Sequence, residues 1–274
     1  MSVGDFMVYA AIFSASVVSG MLGIGVAFAA VPILGIVNLD LIHQIQPIAL
    51  FLNGVTALFA AVSFARAGYV QWPRAVSLAV VASIYSPLGA LAAQRTGETM
   101  LWAAYFAAVV VVVYLLWRER PAARETLSFT QILWLSAPIS AASGLLGVGP
   151  GFLIVPLMVY AGFGPRWAAA INAVAVVPAS FLSLAPHIAT ATVDIATVLP
   201  IIVSAAAGAF LGGHLSSTRV AERALRKLFI FVIVALSLYK GAVLLNAPSR
   251  LPVADVACPG EAAVALSAGS APCR

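Results

Sequence analysis

Two glycine-rich phrases interrupt long apolar runs of this sequence. The first reads SGMLGIGVAFAAVPI (residues 19–33), and the second reads SGLLGVGPGFLIVPL (residues 143–157). Glycine permits a tight turn and lets a ligand approach the backbone closely, and Pro150 can begin a helix because no N–H is needed there. The helix that follows such a turn directs free N–H groups and the positive end of its dipole at the turn. These residue types therefore point to the binding of an anion by the backbone.

The candidate substrate-binding residues are those of the two turns, together with two asparagines. Each asparagine lies in the apolar segment that comes after the short segment following its turn. An asparagine amide can donate hydrogen bonds to the oxygens of an oxyanion, or it can satisfy backbone groups left free at a turn. Both interpretations stay open. The full set is Gly23, Gly25, Val26, Asn53, Gly147, Gly149, Pro150, Gly151 and Asn172.

Other kinds of site find little support in the sequence. It contains no Ser/His/Asp set, no His/Glu zinc pair and no phosphate loop of the Gly-x-x-x-x-Gly-Lys type. We therefore expect no catalytic residue, no metal and no cofactor, and we do not expect an enzyme. No Asp or Glu lies near the centre of an apolar segment, so a carboxylate proton relay within the membrane is not expected. His187 is expected in an outer loop.

The composition indicates that these turns lie in a lipid bilayer. Of the 274 residues, 63% are hydrophobic and 8% are charged, and the mean hydropathy is +1.08. A soluble domain carries about 25% charged residues, so this class is excluded. The apolar runs are continuous rather than alternating, and they therefore predict membrane helices rather than barrel strands. Basic and aromatic residues do not interleave, so the expected partner is a bilayer and not a nucleic acid.

The apolar segments form two series of five. The first occupies about 6–24, 26–37, 46–65, 75–93 and 99–117, and the second about 129–148, 151–163, 166–185, 195–213 and 224–245. The two phrases align without gaps, and with a small deletion Asn53 falls on Asn172 and Gly89 on Gly208, which indicates an internal duplication. We predict a first transmembrane repeat (1–120), a cytoplasmic link (121–127), a second transmembrane repeat (128–247) and a polar C-terminal tail (248–274).

The distribution of Lys and Arg predicts the orientation of the chain. If the link is cytoplasmic, ten of the fourteen basic residues lie inside, in keeping with the positive-inside rule. Both termini then lie outside, where Cys258 and Cys273 could form a disulfide or stay as two free thiols. An odd number of reversals in each half turns the second half upside down. The predicted fold is an all-α polytopic membrane protein with two inverted repeats of about five helical segments each.

The second segment of each repeat is short and follows the glycine-rich break. As a helix, residues 26–37 extend about 18 Å, less than the roughly 30 Å of hydrocarbon in a bilayer. The break therefore lies within the membrane, where irregular backbone is tolerated only if it is buried in protein or lines a watery cavity. The alternative is that small residues serve close helix packing, and we interpret Gly208 and Gly212 in this way.

The motifs GMLGIGVAFAAVPIL and GLLGVGPGFLIVPLMVYAGF resemble the repeated Gly-rich, Val-Pro-containing motif of the TauE/SafE family of membrane proteins, also called sulfite exporters. The resemblance extends over about residues 5–245. It implies a secondary transporter of a small sulfur-containing oxyanion or organosulfonate, such as sulfite, a sulfonate or a sulfoacetate-like anion. The chain departs from the family's Gly-Gly-Gly run, with Gly25-Val26-Ala27 in the first half and Gly149-Pro150-Gly151 in the second. We therefore expect the second turn to keep more of the anion-binding character.

Several functional properties stay open at this point. A carrier that works by alternating access is the leading hypothesis, and an anion channel or a non-transporting intramembrane enzyme or scaffold are the alternatives. A carrier could import or export, could couple to a proton or to sodium, and could act as a monomer or a homodimer. The expected location is the bacterial inner membrane.

Overall fold

The computed structural model describes residues 3–34, 41–117, 127–188 and 195–218, together with residues 220, 224, 227, 228, 231 and 235. Every regular element in these residues is helical, which confirms the all-α membrane fold. Most of the link, most of the predicted segment 224–245 and the whole tail, with Cys258 and Cys273, lie outside the described residues. The repeat boundaries and the disulfide therefore stay predictions.

The described residues form nine α-helices, and their bounds follow the predicted segments closely. The first half contains α1 (Val3–Leu22), α2 (Ala27–Leu34), α3 (Gln46–Arg66), α4 (Trp72–Ala93) and α5 (Glu98–Trp117). The second half contains α6 (Phe129–Leu146), α7 (Gly151–Tyr160), α8 (Pro165–Ile188) and α9 (Ile195–Thr218). A π-helical turn (Leu41–Ile45), which the sequence did not predict, leads directly into α3.

Helices of two lengths make up the bundle. Five helices of the described part are long and apolar enough to cross a membrane, and they include α3, α4, α6, α8 and most of α9. By contrast, α2 has 8 residues and α7 has 10, which at the helical rise extend about 12 and 15 Å. The two short helices cannot span a bilayer alone. The predicted short segment after each glycine-rich break is therefore confirmed.

The packing of the helices repeats when the two halves are exchanged. Helix α1 packs against α9, and its counterpart α6 packs against α4, the counterpart of α9. Likewise α4 packs against α8 while α9 packs against α3, and α3 and α8 pack against each other. An internal duplication predicts such an exchange. The inversion of one repeat relative to the other stays a prediction.

Small residues set the spacing of these helix pairs. A side chain on Gly89 would collide with the carbonyl oxygen of Ala141 in α6, and one on Gly212 would collide with that of Val17 in α1. Because Val17 and Ala141 correspond in the ungapped alignment of the two phrases, the structure pairs Gly89 with Gly212. The predicted pairing with Gly208 is wrong, since α8 has 24 residues where α3 has 21 and the offset between the halves grows. Gly208 also packs against α1, so Gly208 and Gly212 both serve helix packing as expected.

Two arginines join the halves through aromatic rings at one end of the bundle. The guanidinium of Arg74 in α4 lies 5.4 Å from the ring centroids of both Phe129 and Phe163. Arg166 in α8 lies 5.7 Å from the ring centroid of Tyr69 and donates to its hydroxyl at 3.3 Å. Cation–π contacts of this kind hold a charge at an apolar boundary. That this end faces the cytoplasm stays a prediction.

The contact of α4 with α6 can be tested by adding a small side chain at Gly89. We expect Gly89→Ser to lower the melting temperature of the detergent-purified protein, because overpacking costs about 1–3 kcal/mol. Gly97→Ser is the matched control, since a side chain there meets nothing within 4 Å and serine is a good residue to precede a helix. Equal melting of the two variants would contradict the close approach of α4 and α6.

Candidate functional site

The chain makes the same turn at both glycine-rich breaks. The amide of Ile24 donates to the carbonyl of Ser19 at 3.4 Å, and that of Val148 donates to the carbonyl of Ser143 at 3.2 Å. This hydrogen bond closes a helix in the Schellman motif, which needs a left-handed residue. The left-handed φ angles are 63° at Gly23, 78° at Gly25, 66° at Gly147 and 75° at Gly149. Glycine is required at these positions because other residues are strained there.

Side chains of α3 satisfy the first amides of α2. The amide of Val26 donates to Oγ1 of Thr56 at 3.1 Å, and the amide of Ala27 donates to Oδ1 of Asn53 at 3.0 Å. All four residues are buried. Two of the N-terminal donors that a helix leaves free are therefore bonded within the protein at the first break.

The N-terminus of α7 is built differently. Pro150 caps it without a side-chain hydrogen bond, and the amides of Leu153 and Ile154 donate to the Pro150 carbonyl. The amides of Gly151 and Phe152 come before these, so they have no acceptor within the helix. No side chain of the described residues caps them. Side chains therefore accept from the first two amides at the first break, those of Val26 and Ala27, whereas no side chain accepts from the first two amides of α7.

One pair of substitutions between the repeats explains part of this difference. Pro150 corresponds to Val26 and has no N–H to satisfy. At the offset that aligns Asn53 with Asn172, the position of Thr56 is occupied by Ala175. The second break thus lacks both the backbone donor, because of Pro150, and the threonine hydroxyl that would accept from it.

The amide of Asn53 lies between the two breaks. A side chain on Gly25 would collide with its Oδ1, and one on Gly149 would collide with its Nδ2. Its Nδ2 also donates to Oγ of Ser180 in α8 at 2.9 Å. One side chain of the first half therefore contacts both breaks and joins them to the second half. Of the two interpretations left open by the sequence, satisfying the backbone describes Asn53.

Asn172 makes the reciprocal connection from the second half. Its Nδ2 donates to the carbonyl oxygen of Gly23 at 2.7 Å. The same amide lies against Gly151, whose other neighbour is the backbone of Ile24. Its Oδ1 is buried and accepts no hydrogen bond from any described residue. The glycines on each break leave room for the asparagine that reaches across from the other half.

Aromatic rings pack the two short helices against each other. The rings of Phe28 in α2 and Phe152 in α7, which correspond in the two repeats, stack with centroids 6.1 Å apart. The ring of Tyr105 in α5 stacks on Phe152, also at 6.1 Å, and its hydroxyl donates to the carbonyl of Phe28 at 3.3 Å. The second residue of each short helix therefore takes part in one buried stack.

A polar face of α8 leads away from the breaks. The hydroxyls of Ser183 and Ser86 are hydrogen-bonded at 2.8 Å, and Ser180, one turn nearer the breaks, holds Asn53. His187 lies one turn further on and is fully buried. Its predicted position in an outer loop is wrong, because α8 continues past Pro186, whose carbonyl accepts a hydrogen bond from Gln94.

All of the predicted site residues are buried and lie at the breaks or on the helices that close them. Gly147 is at the edge, where it packs against Gln46, whose Nε2 donates to the carbonyl of Leu145 at 3.3 Å. The sequence analysis missed Thr56, although it follows Asn53 by three residues on the same helical face. It also missed Ser180, for which tertiary packing alone decides the contact. Among the described residues no cluster of His, Cys, Asp and Glu could hold a metal ion.

The capping role of Thr56 can be tested with two substitutions, one that removes the hydroxyl and one that keeps it. We expect Thr56→Val to lower the melting temperature, because the buried amide of Val26 loses its acceptor, a loss that costs about 1–3 kcal/mol. Thr56→Ser keeps the hydroxyl and is expected to melt close to the wild type. Thermal unfolding in detergent measures both, and a valine variant as stable as the serine variant would refute the cap.

Comparison with known proteins agrees with this architecture. The family model described as "Sulfite exporter TauE/SafE" matches residues 8–240. A "Probable membrane transporter protein" of Xylella fastidiosa strain 9a5c is 27% identical over 237 residues, which cover 80% of this chain and 88% of that protein. Its counterpart from strain Temecula1 is 26% identical over 240 residues with the same coverage. No solved structure is significantly similar. The chain therefore belongs to the TauE/SafE family of integral membrane transporters.

Proposed function

We propose that the protein is a secondary transporter that moves a small sulfur-containing oxyanion, such as sulfite, a sulfonate or a sulfoacetate-like anion, by alternating access. The family description, which names sulfite, supports the substrate class. The proposed location is the bacterial inner membrane, with both termini outside. A membrane transport role itself follows from the family.

The observation that carries this proposal is the open N-terminus of α7. Two backbone amides, at Gly151 and Phe152, begin a ten-residue helix without a side-chain cap. Gly151 lies where the second break meets the first, since a side chain there would collide with Asn172 and Ile24. Helix N-termini bind oxyanions because several N–H groups and the positive end of the dipole point at one place. In the interior of a membrane protein, water does not compete for these donors.

The contacts between the two halves support alternating access. Only a few polar contacts join the breaks, chiefly the hydrogen bonds of Asn172 to Gly23 and of Asn53 to Ser180. The exchange symmetry of the helix packing supports a second arrangement in which the halves swap roles. The polar face of α8 beyond Ser180 would line the route from the breaks to one membrane surface. The driving ion, a proton or sodium, is left open by these contacts.

The proposal is tested by anion flux into vesicles that contain the purified protein. We expect saturable uptake of radiolabelled sulfite or a sulfonate by the wild type. Gly151→Ala is expected to reduce it by about tenfold or more, because the added methyl group collides with Asn172 and Ile24 and blocks close approach to the amides. Gly97→Ala is the control and is expected to transport normally, since it has no neighbour within 4 Å.

Three outcomes would contradict the proposal. Flux that does not saturate would indicate a channel rather than a carrier. The absence of flux for every anion and gradient tested would favour a scaffold or an intramembrane enzyme. Normal flux by a folded Gly151→Ala variant would remove the α7 N-terminus from the site.

A further inference from the structure

The two repeat-related asparagines use their amides differently. Asn53 is satisfied at both ends, since Oδ1 accepts from the amide of Ala27 and Nδ2 donates to Ser180. Asn172 is satisfied at one end only, by the donation of Nδ2 to Gly23. Its Oδ1 is buried without a hydrogen bond from any described residue. A buried acceptor of this kind is costly unless some state of the protein supplies its donor.

The orientation of the Asn172 amide is fixed by its neighbour. Nδ2 lies 2.7 Å from the carbonyl oxygen of Gly23, so a rotation by half a turn would place two oxygens at hydrogen-bond distance without a hydrogen between them. Oδ1 is therefore the atom that lacks a partner. The side chain has 0% exposure and lies against Gly151, the first residue of α7.

The side chain that carries this unpaired acceptor contacts Gly151, which supplies the first uncapped amide of α7. The amides of Gly151 and Phe152 require acceptor oxygens, and an anion supplies them. Oδ1 of Asn172 requires a hydrogen, and the oxygens of a fully deprotonated anion do not supply one. A ligand that satisfies both groups carries its anionic oxygens and an O–H or N–H on one small framework.

We infer that the second break recognises an oxyanion that also carries a hydrogen-bond donor, with the anionic oxygens on the α7 amides and the donor on Oδ1 of Asn172. Singly protonated sulfite has this chemistry, as do sulfonates and sulfonate analogues with an amino or hydroxyl group next to the sulfur. The inference rests on the proposed function and specifies the substrate class within it. The ligand enters when the two breaks separate, because Gly151 is in contact with Asn172 and Ile24 when they are closed.

A sodium ion matches these groups less well. The positive end of the α7 dipole repels a cation. The side chain of Asn172 contacts Gly151 through Nδ2 and offers a single oxygen without a hydrogen bond, Oδ1. The Gly23 carbonyl is already occupied by Nδ2.

Sulfamate and methanesulfonate test the inference with a single difference. Both are monoanions of similar shape near neutral pH, and an amino group in sulfamate replaces the methyl group of methanesulfonate. We expect isothermal titration of the purified wild-type protein to give about tenfold or tighter binding of sulfamate, because the methyl group leaves Oδ1 unpaired. In Asn172→Leu and Asn172→Ala we expect this ratio to fall to near one, while Gly97→Ala keeps it.

Each other outcome decides against the inference. Equal affinities in the wild type would overturn it and leave the transporter proposal intact, and this comparison needs no variant to fold. A preference for sulfamate that survives in both Asn172 variants would place the donor contact elsewhere. If both anions bind only in the presence of sodium and binding is lost in the Asn172 variants, Oδ1 contacts a sodium ion rather than a hydrogen-bond donor of the ligand. If neither anion binds and no anion is transported, the proposed function fails as well.

Discussion

Backbone polar groups that have no water to bond with are the constraint on which this structure depends. Each such group left unpaired in a bilayer costs several kcal/mol, and each glycine-rich break frees carbonyls at the end of one helix and amides at the start of the next. The Schellman bonds satisfy the carbonyls of Ser19 and Ser143. At the first break, side chains of α3 accept from amides, and Asn172 of α8 donates to the carbonyl of Gly23. That need brings α3 and α8, the helices that carry the asparagines, to the centre of the packing.

The duplication makes the difference between the halves informative. The same backbone turn is made twice, with φ angles at matching glycines that agree within a few degrees, so the conformation of the breaks is shared. What differs is the chemistry around the turn, where Val26 and Thr56 give way to Pro150 and Ala175. At the first break two amides are bonded to side chains of α3, and at the second the corresponding side-chain bonds are absent from the described residues. The two copies of one ancestral turn thus differ in their hydrogen bonding.

The sequence predicted the parts of the structure that local chemistry decides. Membrane helices followed from composition, and the observed helix starts at Gln46, Phe129 and Gly151 coincide with the approximate starts of the predicted segments. The positions of the two breaks were predictable because left-handed turns require glycine. Contacts between distant segments were not predictable. The pairing of Gly89 with Gly212, the burial of His187 and the unequal bonding of the two asparagines depend on the extra length of α8 and on how helices meet.

The stacked rings of Phe28, Phe152 and Tyr105 have a consequence for the leakage of ions through the protein. Parallel aromatic rings attract each other through dispersion and burial rather than through directed hydrogen bonds, so they can slide by a fraction of a ring with little loss. The hydrogen bond between Asn172 and Gly23 cannot slide in this way without being lost. A movement that separates the two breaks would therefore leave the rings in contact with each other. In the proposed alternating-access cycle, protons and small ions would meet this apolar contact at each stage, and the membrane potential would be preserved during transport.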